Sequence, residues 1–524
     1  MAQIQVTNLT FSYEGSNDTI FDNVSFVIDT DWKLGFIGRN GKGKTTFLNL
    51  LLGRQEYAGG IHTSAVFDYF PYQIPDAWMT ECGAELLERM KQGCELWRVL
   101  CELEALELDV EILYRPFRTL SYGEQTKLML AVLFSGENDF LLIDEPTNHL
   151  DQNARETVKR YLNSKKGYIL VSHDRDLLDA CIDHVLVLNR KTIEVQSGNF
   201  SSWWENKARK DAFSIAENEK HKKEISKLNK ASRRVRQWAD RNEETKIGFD
   251  PVAEHDRSKN TRAYIGAKTK KMQSRVKQMQ ERIDREIEEQ EGLLQDIENP
   301  ADLKLFSLKH HKEVLLTIKE YSLAYPDAKE PVLHDLNMEL RQGERVFLSG
   351  RNGCGKSSLI KAILKNAVLT DSSDRNDSCL KNDYFDWKHF SLDESGLMKV
   401  VSGLTISYVS QNTSFLRGSI WEFCEQQGLD ESLFCAVLRQ LDMERVQFSK
   451  NMEDFSEGQK KKVLIAASLL TPAHLYIWDE PLNYIDVFSR MQIEKLILSY
   501  QPTMLIVEHD VRFWEKIATK VIDL

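Results

Sequence analysis

Two stretches decide how the chain folds: GRNGKGKTTFLNLLL from Gly38 and GRNGCGKSSLIKAIL from Gly350. Each follows a short apolar run and opens a helical pattern, the setting in which the spacing GxxxxGK[ST] makes a phosphate-binding loop. The glycines let backbone N–H groups converge on phosphate oxygens, and the positive end of the helix dipole adds to them. The first copy is expected to hold phosphates with Gly38, Asn40, Gly41, Gly43, Lys44, Thr45 and Thr46. The second uses Gly350, Asn352, Gly353, Gly355, Lys356, Ser357 and Ser358. Lys44 and Lys356 reach the β- and γ-phosphates, and the Thr45 and Ser357 hydroxyls face Mg2+.

Working outward, the duplication continues. LSYGEQTKLMLAVLF from Leu120 returns as FSEGQKKKVLIAASLL from Phe455, and FLLIDEPTNHLD from Phe140 as LYIWDEPLNYID from Leu475. ILVSHDRDLLD returns as LIVEHDVRFWE. Lys44 and Lys356 are 312 positions apart, Asp144 and Asp479 335, and His173 and His509 336. Order is kept and one insertion explains the change, so two homologous units run over about 1–202 and 306–524. Within each, buried-strand runs such as 32–37, 141–143 and 168–171 alternate with helical patterns, which predicts an α/β layer fold with a mainly parallel sheet.

The paired carboxylates belong to the same chemistry. Asp144 and Asp479 end apolar strands about 100 residues after their loops and are placed to complete the Mg2+ shell. Glu145 and Glu480 follow at the carboxyl ends of strands, where ligands of open α/β sheets bind, and are placed to orient and polarise an attacking water. His173 and His509, just past another strand, are expected at the γ-phosphate. Gln73 and Gln411 close the strand-like runs FDYFPYQ and ISYVSQ and are expected to sense Mg2+ and water. Tyr13 and Tyr325, ahead of the first core strand of each unit, offer aromatic faces to the adenine of ATP.

The chain has 524 residues, 42% hydrophobic and 28% charged, enough for about three domains. No apolar run approaches the roughly 18 residues of a membrane span; the longest lies near 463–470. The first residues lack a secretion signal, and the eight cysteines form no CxxC pair, so a reduced cytoplasmic protein without structural zinc is expected. Net charge is −11, yet residues 207–285 hold 23 Lys and Arg against 12 Asp and Glu, a local +11. Residues 203–240 and 258–295 carry no proline, and apolar positions step by three and four through Leu228, Ala231, Val235 and Trp238, and through Met272, Val276, Met279, Ile283 and Ile287. Two long antiparallel helices, joined at a tip around 241–257 and filling a middle region 203–305, are the simplest construction. Such a basic hairpin inside an acidic chain points to a local anionic partner.

The set GRNGKGKT, LSYGEQ, LLIDEP and SHD resembles ATP-binding-cassette ATPases, whose own signature corresponds to Ser121 and Gly123 and to Ser456 and Gly458. Two cassettes in one chain, joined by a helical hairpin, resemble the ABC-F family of ribosome-acting ATPases. The resemblance implies an intramolecular cassette dimer in a monomer, each ATP held between the loop of one cassette and the signature of the other. One site would join Lys44, Thr45, Gln73, Asp144, Glu145 and His173 to Ser456 and Gly458. The other would join Lys356, Ser357, Gln411, Asp479, Glu480 and His509 to Ser121 and Gly123. Departures are visible: the signatures read LSYGEQ and FSEGQK, and the second cassette has Leu482 and Tyr484 where the first has Thr147 and His149, a substitution that resembles Lsa- and Vga-type antibiotic-resistance members. Only 47 residues separate Gln73 from Ser121, so the arm insertion of some housekeeping members looks absent, and the acidic stretch 371–394 reads as a surface loop.

The resemblance implies a partner, the 70S ribosome at its exit site, and a hairpin lying against 23S rRNA and tRNA. Lys222, Lys223, Arg233, Arg234, Arg236, Lys268, Lys270 and Lys271 suit RNA phosphates, while Trp238, Phe249 and Tyr264 are candidates to stack on bases, with Trp238 equally a seam residue. The expected function is ATP-driven protection of the peptidyl-transferase centre against lincosamide, streptogramin A or pleuromutilin antibiotics. The alternatives are a housekeeping translation factor and a soluble transporter ATPase subunit, with no membrane contact of its own.

Overall fold

The computed structural model describes residues 3–13, 19–136, 139–148, 150–189, 192–247, 274, 276–279, 282, 283, 285, 303–326, 330–370, 380, 381 and 393–524, with backbone alone at 139, 235, 236, 238–247, 369, 370, 380 and 381. Residues up to Ser201 and from Pro300 form one compact unit; Ser202–Asn299 form a second.

Each cassette of the first unit is built on a six-stranded sheet. In the first cassette the order is Val66–Phe70, Asp139–Asp144, Tyr168–Val171, Lys33–Ile37, His184–Leu188 and Ile193–Ser197, parallel except for the last pair. In the second it is Leu380–Lys381, Ile406–Val409, Leu475–Asp479, Met504–Val507, Arg345–Ser349 and Lys520–Asp523, all parallel. Central strands covered on both faces cannot alternate apolar with polar residues. Accordingly every residue of Tyr168–Val171, Leu475–Asp479 and Met504–Val507 is buried. The even spacing of parallel strands brings Asp144, Asp479 and the strand ends beside them to one edge, next to the loops that start at Gly38 and Gly350.

A three-stranded antiparallel sheet flanks each core: Thr19–Asp29, Gln3–Ser12 and Ala58–His62 in one cassette, Leu333–Arg341, Val314–Ala324 and Asp393–Val400 in the other. Both middle strands bulge, with Asn8 at φ 49° and Glu320 at φ 48°. The neighbouring strand answers with a glycine. A Cβ on Gly59 would lie 2.5 Å from the Asn8 carbonyl oxygen, and one on Gly396 2.1 Å from that of Glu320.

In the second unit, helix Phe200–Ile247 runs on past the expected start of the tip at 241, because no glycine or proline interrupts it before Gly248. Lys222, Lys223, Arg233 and Arg234 are exposed on it, and Leu228 and Ala231 are half-buried. In the other arm the few described residues are helical; Ile283 is buried and Val276 half-buried, but Met279 is exposed. Phe249, Tyr264, Lys268, Lys270, Lys271 and Met272 lie outside the described residues, as do the side chains of Val235, Arg236 and Trp238 and most of the 371–394 loop.

Within the first unit the cassettes meet through charge. Arg175 is 2% exposed and pairs with Glu494 of the second cassette, with Asp510 3.9 Å away. Arg490 binds Asp510 at 3.1 Å, and Lys516 reaches Glu494 at 3.4 Å. Arg512 pairs with Asp176 and, at 2.6 Å, with Asp179. The repeat puts Asp176 and Arg512 at the same position of their cassettes, 336 residues apart, so equivalent positions face each other with opposite charge. Removing one partner of a buried pair strands the other charge, at about 3–5 kcal/mol. Arg175→Ala should therefore lower the unfolding free energy measured by urea denaturation by that order, and Arg175→Ala with Glu494→Ala should lose less than the two single variants together. Strictly additive losses would contradict the pairing.

Candidate functional site

Strand Lys33–Ile37 leads into the first phosphate loop and helix Lys44–Leu51 leaves it; strand Arg345–Ser349 and helix Lys356–Thr370 repeat the arrangement. Tight wrapping needs φ values open to glycine: Gly43 sits at 105° and Gly355 at 95°, where a Cβ would press to 2.5 Å on Ile20 and 2.7 Å on Val332. Lys44 Nζ lies at the centre of its loop, donating to the carbonyls of Gly38 at 2.6 Å and Arg39 at 3.3 Å and to Asn40 Oδ1 at 3.1 Å. Lys356 Nζ donates to Gly350 and Arg351 carbonyls at 2.7 and 2.9 Å. Each ammonium is thus held against the carbonyls of its own loop, where the helix begins.

Thr45 Oγ1 donates to Asp144 Oδ2 at 3.2 Å, and Tyr69 donates to the same oxygen at 3.2 Å. Ser357 likewise hydrogen-bonds Asp479, whose Oδ1 is buried without a hydrogen-bond partner. A hydroxyl beside a carboxylate with a spare buried oxygen is the hard-oxygen donor set that suits Mg2+. Burial raises both carboxyls, with the charge of Glu480 adding at Asp479, which stands at about 6.

Glu145 and Glu480 follow these strands in the left-handed region, at φ 51° and 47°, each anchored by an N–H to the neighbouring strand (Val171 and Val507 carbonyls, both 2.9 Å). That turn aims each carboxylate at its histidine: His173 Nε2 is 3.3 Å from Glu145 Oε1, and His509 Nε2 3.9 Å from Glu480 Oε1. Asn483 donates to Glu480 Oε2 at 2.6 Å. Burial and the adjacent Asp144 push Glu145 up to about 8. Burial, with nearby cations, keeps both imidazoles neutral, His173 far below its usual value and His509 at about 3.

The second cassette reaches into the first site. Asn40 Nδ2 donates to the Tyr484 carbonyl at 2.8 Å, Arg39 pairs with Asp442 at 2.8 Å and Lys42 with Glu444 at 2.7 Å. Gly458 sits where a Cβ would meet the Tyr484 carbonyl at 2.6 Å and Asn40 Nδ2 at 3.5 Å. Ser456 caps the helix behind it, accepting from Gln459 N at 3.3 Å, as Ser121 accepts from Glu124 N at 3.3 Å. The second site is a cavity of about 470 Å³ lined by Tyr122 and Arg155 of the first cassette and by Tyr325, Asn352, Lys356, Gln411, Glu480 and His509 of the second. Tyr122 is the residue between Ser121 and Gly123, so each signature stands at the loop of the opposite cassette. Tyr13 and Tyr325 stand at the loops too, with hydroxyls 2.8 Å from Thr46 Oγ1 and 2.7 Å from Ser358 Oγ.

Gln73 is not brought to its loop. It is exposed and lines a separate cavity of about 300 Å³ with Arg54, Tyr69 and Met90. Pairing of Phe70 with Ile143 and of Val409 with Trp478 makes Tyr72, not Gln73, the counterpart of Gln411. Residues outside the sequence expectation also enter from across the interface: Asp486 and Arg490 act on Lys44, His173 and Glu145, and the Tyr484 carbonyl accepts from Asn40. Asp486 was visible as the recurring last residue of LLIDEPTNHLD and LYIWDEPLNYID, and Arg490 as the repeat of Arg155.

Residues 21–148 and 333–483, together more than half of the chain, match the family model described as ABC transporter. The chain is 26% identical over 525 residues to the ribosome protection protein VmlR of Bacillus subtilis, spanning 98% of this chain and 85% of that protein. It is 23% identical over 598 residues to ABC transporter F family member 2 of Arabidopsis thaliana, spanning 99% and 76%. It shares its fold with archaeal ribosome recycling factor aABCE1, solved with ribosomal stalk protein aP1, at a TM-score of 0.57 and 18% identity over 98% of this chain and 87% of that one. Among the described residues no helix is long and apolar enough to cross a membrane. The chain belongs to the ABC transporter family, as a two-cassette ATP hydrolase similar to ABC-F proteins.

Proposed function

We propose that the protein is a cytoplasmic, ribosome-acting ATPase that protects the peptidyl-transferase centre from lincosamide, streptogramin A or pleuromutilin antibiotics. The observation that carries this reading is similarity over nearly the whole chain to a protein named for ribosome protection. The exposed Lys222, Lys223, Arg233 and Arg234 on one long helix add to it, since a row of cations suits RNA phosphates and weakens with salt.

In each site the loop N–H groups, the helix N-terminus and Lys44 or Lys356 hold the triphosphate. Thr45 with Asp144, and Ser357 with Asp479, would hold Mg2+, which neutralises charge on the β- and γ-phosphates. Glu145 and Glu480 orient the attacking water and accept its proton; burial makes Glu145 a stronger base than a surface glutamate. Neutral His173 and His509 present an N–H to the γ-phosphate. Because ATP bonds both cassettes at once, it favours the closed pair, and hydrolysis removes that preference. The cycle seats the helical unit at the ribosomal exit site, against 23S rRNA and tRNA, and then releases it.

Two outcomes test this. Glu145→Gln with Glu480→Gln should lower steady-state ATP turnover by about 10²-fold or more; wild-type turnover would remove both carboxylates from the chemistry. In a drug-susceptible Gram-positive host, the wild type should raise the inhibitory concentrations of a lincosamide, a pleuromutilin and streptogramin A but not of tetracycline. The double variant should not. A well-expressed wild type that protects against none of them would leave the housekeeping translation role.

A further inference from the structure

In the second cassette, Lys461 lies in the first turns of helix Glu457–Leu470, yet it is only 2% exposed. Its Nζ donates to the Ser410 carbonyl at 2.8 Å and lies 3.5 Å from the Asp479 carbonyl. These two carbonyls stand at the ends of neighbouring parallel strands, Ile406–Val409 and Leu475–Asp479. The next residue after each is Gln411 and Glu480, and both line the cavity of Lys356. A buried ammonium is tolerated only where acceptors and opposite charge surround it; here those acceptors are the backbones that carry the two residues of the water.

Among the described residues the first cassette has no such tie. Its counterpart, 335 positions earlier, is Thr126, whose side chain is far too short to bridge two strand ends. There the loop after Phe70 carries Gln73 away into a different cavity. The two cassettes thus differ twice at the same feature: the second has the bridge and a glutamine lining the site, while the first has neither, its Gln73 standing one residue beyond the counterpart of Gln411.

We infer that Lys461 is a positioning residue for ATP hydrolysis, fixing Gln411 relative to Glu480, and that the second site is by this means the faster of the two. The inference rests on the reading of Gln411 and Glu480 as the residues that face the attacking water. The signature helix from Ser456 to Leu470 faces the first site with Gly458, so Lys461 also lets that helix pull on the chemistry of its own cassette.

The experiment is steady-state ATP turnover of the full chain carrying Lys461→Thr, the residue of the first cassette, and Lys461→Met, which keeps an apolar stem in the same space. Each is measured alone, with Glu145→Gln and with Glu480→Gln. Both should lower kcat about 10- to 100-fold, the scale of a misplaced group, while KM for ATP moves less than twofold. The loss should persist beside Glu145→Gln and vanish beside Glu480→Gln, where the second site is already silent. Unchanged kcat in a folded Lys461→Met protein would overturn the inference. So would an equal loss in both backgrounds, which is what a purely structural lysine gives. If Glu480→Gln alone leaves turnover at the wild-type level, the reading beneath the inference fails, and this outcome is distinct from the other two.

Discussion

Charge buried where the two cassettes meet has to be neutralised from the opposite cassette, and the arrangement of both sites depends on it. Lys44 is buried, and the largest opposing charge acting on it is Asp486 of the other cassette. Glu145 feels Arg490, and His509 feels Arg155 and Asp151. Arg175 completes the pattern against Glu494 and Asp510. A buried ion without its partner costs several kcal/mol, so the cassettes have one register in which these groups are satisfied together. Burial opposes the charge on Asp486, but Lys462, the Ser489 N–H and Lys44 overcome it and hold that carboxyl well below the usual carboxylate range. A residue that senses the opposite site is thus itself kept charged partly by that site.

The same constraint ties nucleotide to movement. Asn40 binds the Tyr484 carbonyl, and Tyr484 is held at φ 62°, where a side chain other than glycine is strained. Glu145 and Glu480 occupy the same region of backbone space. These three residues face the phosphates or the opposite cassette, so here the fold spends conformational preference where contacts must be placed, and the all-buried strands beneath supply the stability that permits it.

Much of this was legible in the sequence because it repeats. The spacing of Gly38 to Thr45, returning at Gly350 to Ser357, fixed strand, loop and helix twice, and the offsets placed Asp144, Glu145 and His173 against Asp479, Glu480 and His509. Two strings ending in glutamine, FDYFPYQ and ISYVSQ, look equivalent, yet strand pairing shows that Pro71 takes the place of Ser410 and shifts Gln73 one residue beyond Gln411. Lys460, Lys461 and Lys462 are indistinguishable as letters; a helix turns them to three different surroundings, and two of them are buried. The helix from Phe200 outran its expected end because Lys, Glu and Thr before Gly248 do not stop a helix, whatever the heptad pattern does.

The most direct test of a nucleotide-driven clamp on the ribosome is sedimentation of the Glu145→Gln/Glu480→Gln protein with purified 70S ribosomes through a sucrose cushion, with ATP, with ADP and without nucleotide. The account predicts that the protein pellets with ribosomes in ATP and remains in the supernatant in the other two. Equal pelleting under all three conditions, or none in ATP, would contradict it.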